Sequence, residues 1–159
     1  MIRKLIKEDR KKIENILVDT NNFNDDEIEI ALELIDIYLN DGKQNDYEIF
    51  SDVNENNDVN GYICIGPRPL TKGTYDLYWI AVNPNVQAKG IGSGLIKYIE
   101  EHLKSKGGRL ILIETSGKPG YEKERKFYEK NKYEKLVEIK DFYKEDDSLV
   151  IYGKYISNS

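Results

Sequence analysis

Residues 82–95 read Val-Asn-Pro-Asn-Val-Gln-Ala-Lys-Gly-Ile-Gly-Ser-Gly-Leu, and they join two segments of opposite periodicity. The preceding stretch, 74–82, is rich in β-branched and aromatic residues and predicts a strand that Asn83-Pro84 ends. In the following stretch, apolar residues recur at helical spacing: Ile91, Leu95, Ile96, Ile99 and Leu103. A strand, a glycine-rich loop and a helix in this order indicate a phosphate-binding site, because the first N–H groups of a helix attract anions.

The spacing of the glycines excludes two common phosphate-binding motifs. A dinucleotide-binding fingerprint would need a glycine where Leu95 stands, and a P-loop would need Gly-Lys-Ser/Thr, which the chain does not have here. From these residues alone, the loop is either a ligand-free turn or a site for some other phosphorylated ligand, to which Lys89 adds a positive charge.

The rest of the chain predicts alternating strands and helices. With 159 residues and neither an internal repeat nor a linker, we expect a single domain over 1–159, of the α/β or α+β class. Another helix has Asn24 or Asp25 as its N-cap and stops at Asp41-Gly42. The other predicted elements are a strand at 2–6, a helix around Ile13, Ile16 and Leu17, a hairpin of 47–50 with 61–65, a helix that ends at Lys106-Gly107-Gly108, a buried strand at 110–113, a helix at 121–131, and an antiparallel pair of 133–139 with 148–156.

Composition limits the chemistry. Cys64 is the only cysteine and His102 the only histidine, so the chain has no internal disulfide, no Cys/His zinc site and no two-histidine metal site. We therefore expect no metal. No apolar run reaches the roughly 18 residues needed to span a bilayer, and the first residues resemble no signal peptide, so we expect a cytoplasmic protein that acts away from membranes.

Charge is unevenly distributed along the chain. Residues 19–60 carry thirteen acidic side chains against Lys43 alone, whereas 84–132 carry eleven Lys and Arg residues against six Glu. The net charge of −5 argues against general nucleic-acid binding. An acidic region and a basic region suit a cationic substrate and an anionic cofactor, although an ordinary solvated surface would have the same pattern.

Residues 87–92, Gln-Ala-Lys-Gly-Ile-Gly, match the loop Gln/Arg-x-x-Gly-x-Gly/Ala. With it, the sequence resembles the GNAT superfamily of acetyl-CoA-dependent N-acetyltransferases. Residues 80–84 are similar to the fourth strand of that family, and 127–133, Phe-Tyr-Glu-Lys-Asn-Lys-Tyr, resemble its penultimate-helix motif. Lys132 stands where the family usually has glycine, and Tyr121 where many members have an asparagine that contacts the pantetheine arm.

The resemblance implies a fold and a cofactor. The fold is a mixed, mostly antiparallel central sheet of about seven strands, with the fourth and fifth strands splayed apart and about four flanking helices. The cofactor is acetyl-CoA, with coenzyme A as product and no metal. The residues expected to bind it are Ile80, Ala81, Val82, Gln87, Ala88, Lys89, Gly90, Ile91, Gly92, Ser93 and Tyr121.

Acetyl transfer to an amine needs a proton acceptor, a donor for the developing oxyanion and a proton for the departing thiolate. Asp76 matches the position where some family members carry a catalytic glutamate, and Glu114, which follows a buried strand, is an equal candidate for the base. The resemblance implies a backbone N–H near Ile80 as the oxyanion donor. Tyr128, in its Phe-Tyr-Glu-Lys context, is the expected donor to the leaving sulfur.

The sequence therefore predicts an N-acetyltransferase that acts on a primary amine of a small or peptidic acceptor. The acidic first two helices favour a cationic acceptor. No histidine or cysteine is well placed to carry an acyl group, so we expect direct attack in a ternary complex. The alternative is a non-catalytic acyl-CoA-binding sensor or interaction module. The expected partners are the amine acceptor and, as an open alternative to a monomer, a second copy in a homodimer, without nucleic acid or membrane.

Overall fold

The structure, a computed structural model, describes residues 1–86 and 90–157. Within these residues the elements follow the order predicted from the sequence. They are β1 (Ile2–Lys4), α1 (Asp9–Asp19), α2 (Asp25–Asn40), β2 (Glu48–Val53), β3 (Val59–Pro67), β4 (Thr74–Val82), α3 (Ile91–Ser105), β5 (Leu110–Ser116), α4 (Glu122–Lys130), β6 (Glu134–Lys144) and β7 (Asp147–Tyr155). A short 3₁₀ turn at Pro119–Tyr121 precedes α4, so this helix begins one residue later than expected.

The strands form one seven-stranded sheet in the order β1-β2-β3-β4-β5-β7-β6. Thr74–Asp76 of β4 pair with Leu110–Leu112 of β5 in parallel, and this register covers the first three residues of the nine-residue strand. The pairs β1/β2, β2/β3, β5/β7 and β6/β7 are antiparallel. The predicted mixed and mostly antiparallel sheet is confirmed. None of the helices in the described part of the chain is long and apolar enough to cross a membrane.

The chain divides into two compact units. The first unit comprises Met1–Gly66 and Tyr78–Ile99, and the second comprises Pro67–Leu77 and Glu100–Ser159. The strand β4 and the helix α3 each contribute residues to both units.

The first unit buries apolar side chains on both faces of its strands. Ile13 of α1 and Ile35 of α2 belong to one buried cluster with Tyr62 and Cys64 of β3. The other buried apolar residues of this cluster are Leu5, Ile16, Leu17, Ala31, Ile49, Val53, Val59 and Ala81. On the opposite face of the strands, the rings of Phe50 in β2 and Tyr98 in α3 lie 5.1 Å apart in an edge-to-face arrangement. The helices α1 and α2 thus pack on one face of these strands and α3 on the other.

Local capping explains where α2 begins. The Asn24 side chain accepts a hydrogen bond from the Glu27 N–H at 2.8 Å, and the Glu27 side chain accepts one from the Asn24 N–H at 3.1 Å. This reciprocal capping box satisfies two N–H donors that the helix leaves open. Of the two alternatives left by the sequence, Asn24 is therefore the N-cap.

A buried carboxylate joins three elements of the first unit. Asp9 in α1 pairs with Arg3 of β1 at 2.7 Å and accepts hydrogen bonds from the Ser51 hydroxyl of β2 and the Ile6 N–H. Burial alone would raise the pKa of Asp9, but its hydrogen bonds with Arg3, Ile6 and Ser51 together hold that pKa below its ordinary value. Asp9 is thus ionised at neutral pH and links β1, α1 and β2.

In the second unit, the side chains of β5 point alternately to the two faces of the sheet. Ile111 and Ile113 are buried, and Tyr152 of β7 is in register with Ile113. The rings of Tyr152 and Tyr128 lie 6.1 Å apart, so α4 packs on this face. Leu112 lies on the opposite face of β5.

The edge strand β6 extends beyond the predicted end at Ile139. Ile139 pairs with Leu149 and Lys144 with Asp147, so β6 contains four residues where β7 contains one. Asp141, within this bulge, has a φ of 54° in the left-handed region. Regular pairing with β7 stops at Ile139 and resumes only at Lys144. The sequence pattern predicts only the regularly paired part of the strand, so the prediction ended at Ile139.

Candidate active site

The start of α3 leaves its first backbone N–H groups without an acceptor inside the helix. Gly90 has a φ of +86° and is exposed, and its carbonyl accepts a hydrogen bond from the Gly94 N–H at 2.8 Å. By helix geometry, the N–H groups of Ile91, Gly92 and Ser93 have no acceptor inside the helix. The first turn carries no acidic side chain. These donors and the positive end of the helix dipole fit an anionic ligand such as the phosphate groups of coenzyme A.

Three of the residues expected to bind the cofactor, Gln87, Ala88 and Lys89, lie outside the described residues. Their predicted contacts remain predictions from the sequence motif. Gly90, Ile91, Gly92 and Ser93, by contrast, are described and all lie at the helix start.

The backbone at the two ends of β4 forms hydrogen bonds on the β3 side. The Thr74 carbonyl accepts from the Arg68 N–H at 2.9 Å, and the Asn83 N–H donates to the Asn60 carbonyl at 2.7 Å, so both backbone groups turn towards the β3 side. In a regular strand, residues an odd number apart turn their backbone groups to opposite edges. Thr74 and Asn83 break this rule, so the backbone between them departs from regular alternation.

The orientation of Asn83 indicates how the last residues of β4 turn their backbone groups. Since Asn83 turns towards β3, regular alternation over the last residues of the strand would turn Ile80 and Val82 the other way. Their N–H and C=O groups would then not be taken up by pairing with β3. Ile80 is the predicted oxyanion donor, and Val82 is one of the predicted contacts for the pantetheine amides. Ala81, the third predicted contact on β4, is buried with its side chain in the apolar cluster of the first unit.

The two candidate bases lie together in the second unit. Asp76 of β4 is in register with Leu112 of β5, and Glu114 follows Leu112 by two residues on the same face. The Arg68 Nη2 donates to the Asp76 Oδ1 at 2.9 Å and to the Glu114 Oε1 at 3.3 Å. The Asp76 side chain is 11% exposed and that of Glu114 is 47% exposed. Asp76 is therefore the buried member and Glu114 the solvent-facing member of one cluster.

Arg68 is a residue that the sequence reasoning missed. It stands in the turn that follows β3, between Pro67 and Pro69, far from Glu114 in the sequence. Pairing between Arg68 and Asp76 depends on the β3–β4 turn, and pairing with Glu114 depends on the parallel contact of β4 with β5. The only local signal is an arginine held between two prolines.

The electrostatics of the cluster distinguish Asp76. Burial raises the pKa of Asp76 and outweighs the lowering by the Arg68 charge, while the Glu114 charge raises the pKa further. The net result is a pKa above the ordinary value for an aspartate. A partly buried carboxylate with a raised pKa holds an accepted proton more readily, which suits a general base.

Tyr128 lies apart from this cluster. It is 6% exposed on α4, with its ring near those of Tyr152 and Phe127. Burial, followed by the charge of Glu124, raises the pKa of Tyr128 well above its ordinary value, so the phenol keeps its proton at every relevant pH. Among the described residues its hydroxyl has no hydrogen-bond partner, which leaves the donor available to a bound molecule.

The structure thus brings Asp76 and Glu114 together and places Tyr128 on the other face of the β5/β7 pair. Tyr121 is the N-cap of α4 and is half-buried. In the described part of the chain, no group of three or more His, Cys, Asp or Glu side chains is arranged to hold a metal ion.

Aromatic residues that could contact an acceptor pack against other rings. Trp79 lies 5.4 Å from Phe23 and Tyr78 lies 5.5 Å from Tyr47, both edge to face, in the first unit. In the second unit, Tyr143 packs on Phe142. Packing against another ring therefore accounts for the position of each of these three aromatic side chains.

Comparison with known proteins adds a family match. Residues 10–133 match the family described as acetyltransferase (GNAT) family. A crystal structure assigned to the GNAT family of acetyltransferases, from Desulfovibrio desulfuricans, is 34% identical, covers 98% of each chain and superimposes with a TM-score of 0.93. No curated protein sequence matches the chain.

More distant structures share the fold. An aminoglycoside 6'-N-acetyltransferase in complex with coenzyme A is 18% identical and has a TM-score of 0.76, covering 100% of this chain and 98% of that one. The ribosomal-protein-S18-alanine N-acetyltransferase of Escherichia coli is 17% identical and has a TM-score of 0.75, with coverage of 100% and 95%. At these identities the likeness concerns the architecture of the chain.

Proposed function

Because the chain belongs to the acetyltransferase (GNAT) family, we propose that it transfers the acetyl group of acetyl-CoA to a primary amine of a small or peptidic, cationic acceptor. The observation that carries the proposal is the start of α3. There, Gly90 belongs to the family's loop motif, the first N–H groups of α3 have no acceptor inside the helix, and the first turn of α3 carries no acidic side chain.

The cofactor contacts of this proposal divide between a helix start and a strand. The N–H groups of Ile91, Gly92 and Ser93 bind phosphate oxygens, assisted by residues 87–90 of the loop. The backbone of Ile80–Val82 pairs with the amides of the pantetheine arm. Tyr121 is a further cofactor contact, assigned from its position in the family's pattern. Bound acetyl-CoA supplies the acetyl group as a thioester.

Each catalytic role is assigned to a residue whose surroundings suit it. Asp76 accepts the proton of the acceptor amine, because it is ionisable, buried and biased towards holding a proton. Glu114, at the exposed end of the cluster, attracts the acceptor's ammonium group. The Ile80 N–H stabilises negative charge that develops on the reacting carbonyl oxygen. Tyr128, whose hydroxyl has no hydrogen-bond partner among the residues that the structure describes, donates a hydrogen bond to the leaving sulfur.

We assign direct attack by the amine, without an acylated enzyme. Cys64 is 1% exposed within the apolar cluster of the first unit, and burial raises the pKa of its thiol far above the ordinary value. A protonated thiol inside a core is a poor nucleophile. The surroundings of Cys64 therefore support a ternary complex rather than a thioester relay.

The charge of the site supports a cationic acceptor. Arg68 with two carboxylates leaves the cluster in the second unit with a formal charge of −1 when all three are ionised. An ammonium group from the acceptor would complete the neutralisation. The fold relatives that act on an aminoglycoside and on the alanine of a ribosomal protein both modify amines, which is in keeping with this acceptor class.

The test combines turnover with ligand-induced stabilisation. Release of free coenzyme A is measured over a panel of amines: polyamines, aminoglycosides, peptides with free N-termini and small amino compounds. Turnover with at least one amine supports the proposed enzyme. Tight binding of acetyl-CoA with no free thiol released over the whole panel would instead establish the non-catalytic sensor.

Binding at the loop has its own variant. Acetyl-CoA should raise the Tm of the wild type, because a ligand that binds only the folded state stabilises it. Gly92→Glu should abolish the rise by placing a carboxylate at the helix start. Gly42→Glu is the matched control, since a Cβ at Gly42 meets nothing within 4 Å and should leave the rise intact. Gly90→Glu is less informative, because the φ of +86° strains any side chain.

Two further predictions remain to be measured on the purified chain and in cells. Sedimentation velocity distinguishes a monomer from the homodimer, and cell fractionation tests the cytoplasmic location. Neither result changes the assignment of the residues above.

A further inference from the structure

We propose that Arg68 is a positioning residue of the reaction, which joins Asp76 and Glu114 into one cluster and keeps Asp76 in the ionised form that accepts the amine proton. The inference rests on the proposed acetyl transfer and adds to it a residue that neither the loop motif nor the helix motif contains. Its basis is the contact geometry around the guanidinium.

The backbone of Arg68 is held at both of its polar groups. Its N–H donates to the Thr74 carbonyl at 2.9 Å, and its carbonyl accepts from the Thr71 hydroxyl at 2.7 Å. Pro69 also restricts the residue before it to extended conformations. The start of the Arg68 side chain is thus fixed relative to Asp76, which lies two residues beyond Thr74 on the same strand. Such fixation is expected of a residue that positions another.

One guanidinium nitrogen serves both carboxylates. The Arg68 Nη2 lies 2.9 Å from Asp76 and 3.3 Å from Glu114, while the Nε and Nη1 groups have no hydrogen-bond partner among the described residues. The arginine side chain is 39% exposed. The guanidinium therefore lies at the boundary between a buried carboxylate and solvent, where the acceptor amine must enter to reach Asp76.

Removal of the Arg68 charge would leave two carboxylates facing each other, one of them buried. Among the described residues, the charged groups that affect Asp76 from the neighbouring elements are Arg68, from the turn after β3, and Glu114, from β5. Without the cation, burial and the Glu114 charge both favour a protonated Asp76. A protonated carboxyl cannot act as the base, so activity would require a higher pH.

The experiment measures two quantities over about pH 5 to pH 10: kcat/KM with the best acceptor, and the titration of the Asp76 carboxyl by ¹³C NMR. In Arg68→Gln, the acidic limb of kcat/KM and the Asp76 titration should both move upwards by about one to three pH units, as expected for the loss of an adjacent opposite charge. Arg68→Lys keeps a positive charge, so both the acidic limb and the Asp76 titration should return most of the way to their wild-type positions. In Glu114→Gln, both should move downwards, because the like charge is removed.

The matched control is Arg10→Gln in the first unit. Arg10 also pairs with two carboxylates, Asp36 and Glu14, and its side chain is 36% exposed. This variant should leave the acidic limb where it is in the wild type. A loss of activity caused only by weakened folding would lower the whole profile of a variant without moving the limb.

Some outcomes would overturn the role of Arg68. If Arg68→Gln and the wild type have the same acidic limb in an active enzyme, or if the Asp76 titration does not respond, Arg68 does not control the proton of Asp76. If Arg68→Gln does not fold, the direction of the Glu114→Gln shift decides whether the cluster acts as one unit, and an upward or absent shift refutes it. A wild type that turns over no amine refutes the proposed function itself, and the NMR titration still shows whether Arg68 controls Asp76.

Discussion

Tyr128 differs from the other buried tyrosines of the second unit in what its hydroxyl contacts. The Tyr133 hydroxyl donates to Glu100 at 2.8 Å and the Tyr152 hydroxyl donates to Glu129 at 2.9 Å. Both phenols are thereby committed to a carboxylate of the protein. Within the described residues, Tyr128 has no such partner and keeps its proton because burial raises its pKa. Of the three, it is the one whose hydrogen bond is available for chemistry.

The Tyr128→Phe variant tests this assignment. It should lower kcat by roughly ten- to a thousand-fold and change the affinity for acetyl-CoA little, since the lost hydrogen bond matters mainly as sulfur departs. Tyr152→Phe is the control, because it removes the same atom from a neighbouring ring whose hydroxyl is already bound to Glu129. Steady-state kinetics with the best acceptor measures both. Wild-type turnover by Tyr128→Phe would show that another group assists the leaving thiolate.

The helix α4 ends in a Schellman motif. The Lys132 N–H donates to the Glu129 carbonyl and the Tyr133 N–H to the Tyr128 carbonyl, each at 3.0 Å. Lys132 occupies the left-handed position of this motif with a φ of 72°. Glycine is the residue that favours this conformation, and the sequence has lysine where the related family usually has glycine. The turn has the Schellman geometry although Lys132 is strained in the left-handed conformation.

The Lys132→Gly variant should therefore be more stable than the wild type. The left-handed conformation costs a non-glycine residue about 1–2 kcal/mol, and the greater freedom of glycine in the unfolded chain offsets about 0.4–1 kcal/mol of this. We expect a net gain of about 0.5–1 kcal/mol in the free energy of unfolding, measured by urea titration. Lys126→Gly, inside the same helix, should instead cost about 1 kcal/mol. An equal or lower stability of Lys132→Gly would contradict the strain at this position.

Elements with local start and stop signals could be predicted from the sequence. Thr74–Val82 was expected as a strand from its composition and from Pro84, and α3 from its apolar spacing and from Gly107, and both match the structure. The long bulge of β6 could not be predicted, because it depends on how Ile139 and Lys144 pair with β7. The sequence has no periodic signal for a strand interrupted in this way.

The candidate site was predictable to the same limited extent. The glycine loop and the Phe127-Tyr128 motif are contiguous in the sequence, so local reasoning finds them. The pairing of Asp76 with Glu114 through Arg68 joins three segments that only the sheet brings together. The sequence therefore offered Asp76 and Glu114 as competing bases, whereas the contacts of the second unit connect them.

The two compact units of the chain share two continuous elements, β4 and α3. The strand β4 passes from the second unit to the first at Leu77–Tyr78, and α3 passes from the first to the second at Ile99–Glu100. Each unit has buried apolar residues of its own, such as Leu17 in the first and Ile111 in the second. A unit that unfolds alone would have to break a strand and a helix in the middle. We therefore propose that residues 1–159 form a single cooperative domain.

Equilibrium unfolding in urea tests that proposal with one probe for each unit. Trp79 is the only tryptophan; it lies in the first unit and packs against Phe23, so its fluorescence reports on that unit. Trp79→Phe combined with Tyr155→Trp moves the probe to a residue of the second unit that is 70% exposed.

If the units unfold together, fluorescence and far-UV circular dichroism should give the same midpoint and the same m-value within each protein, because every probe reports the same transition when unfolding is two-state. The double variant is compared with itself by both methods, so any change in its overall stability does not affect the comparison. A fluorescence midpoint that departs from the circular dichroism midpoint in either protein would show that one unit unfolds before the other, and the chain would then consist of two domains that share β4 and α3.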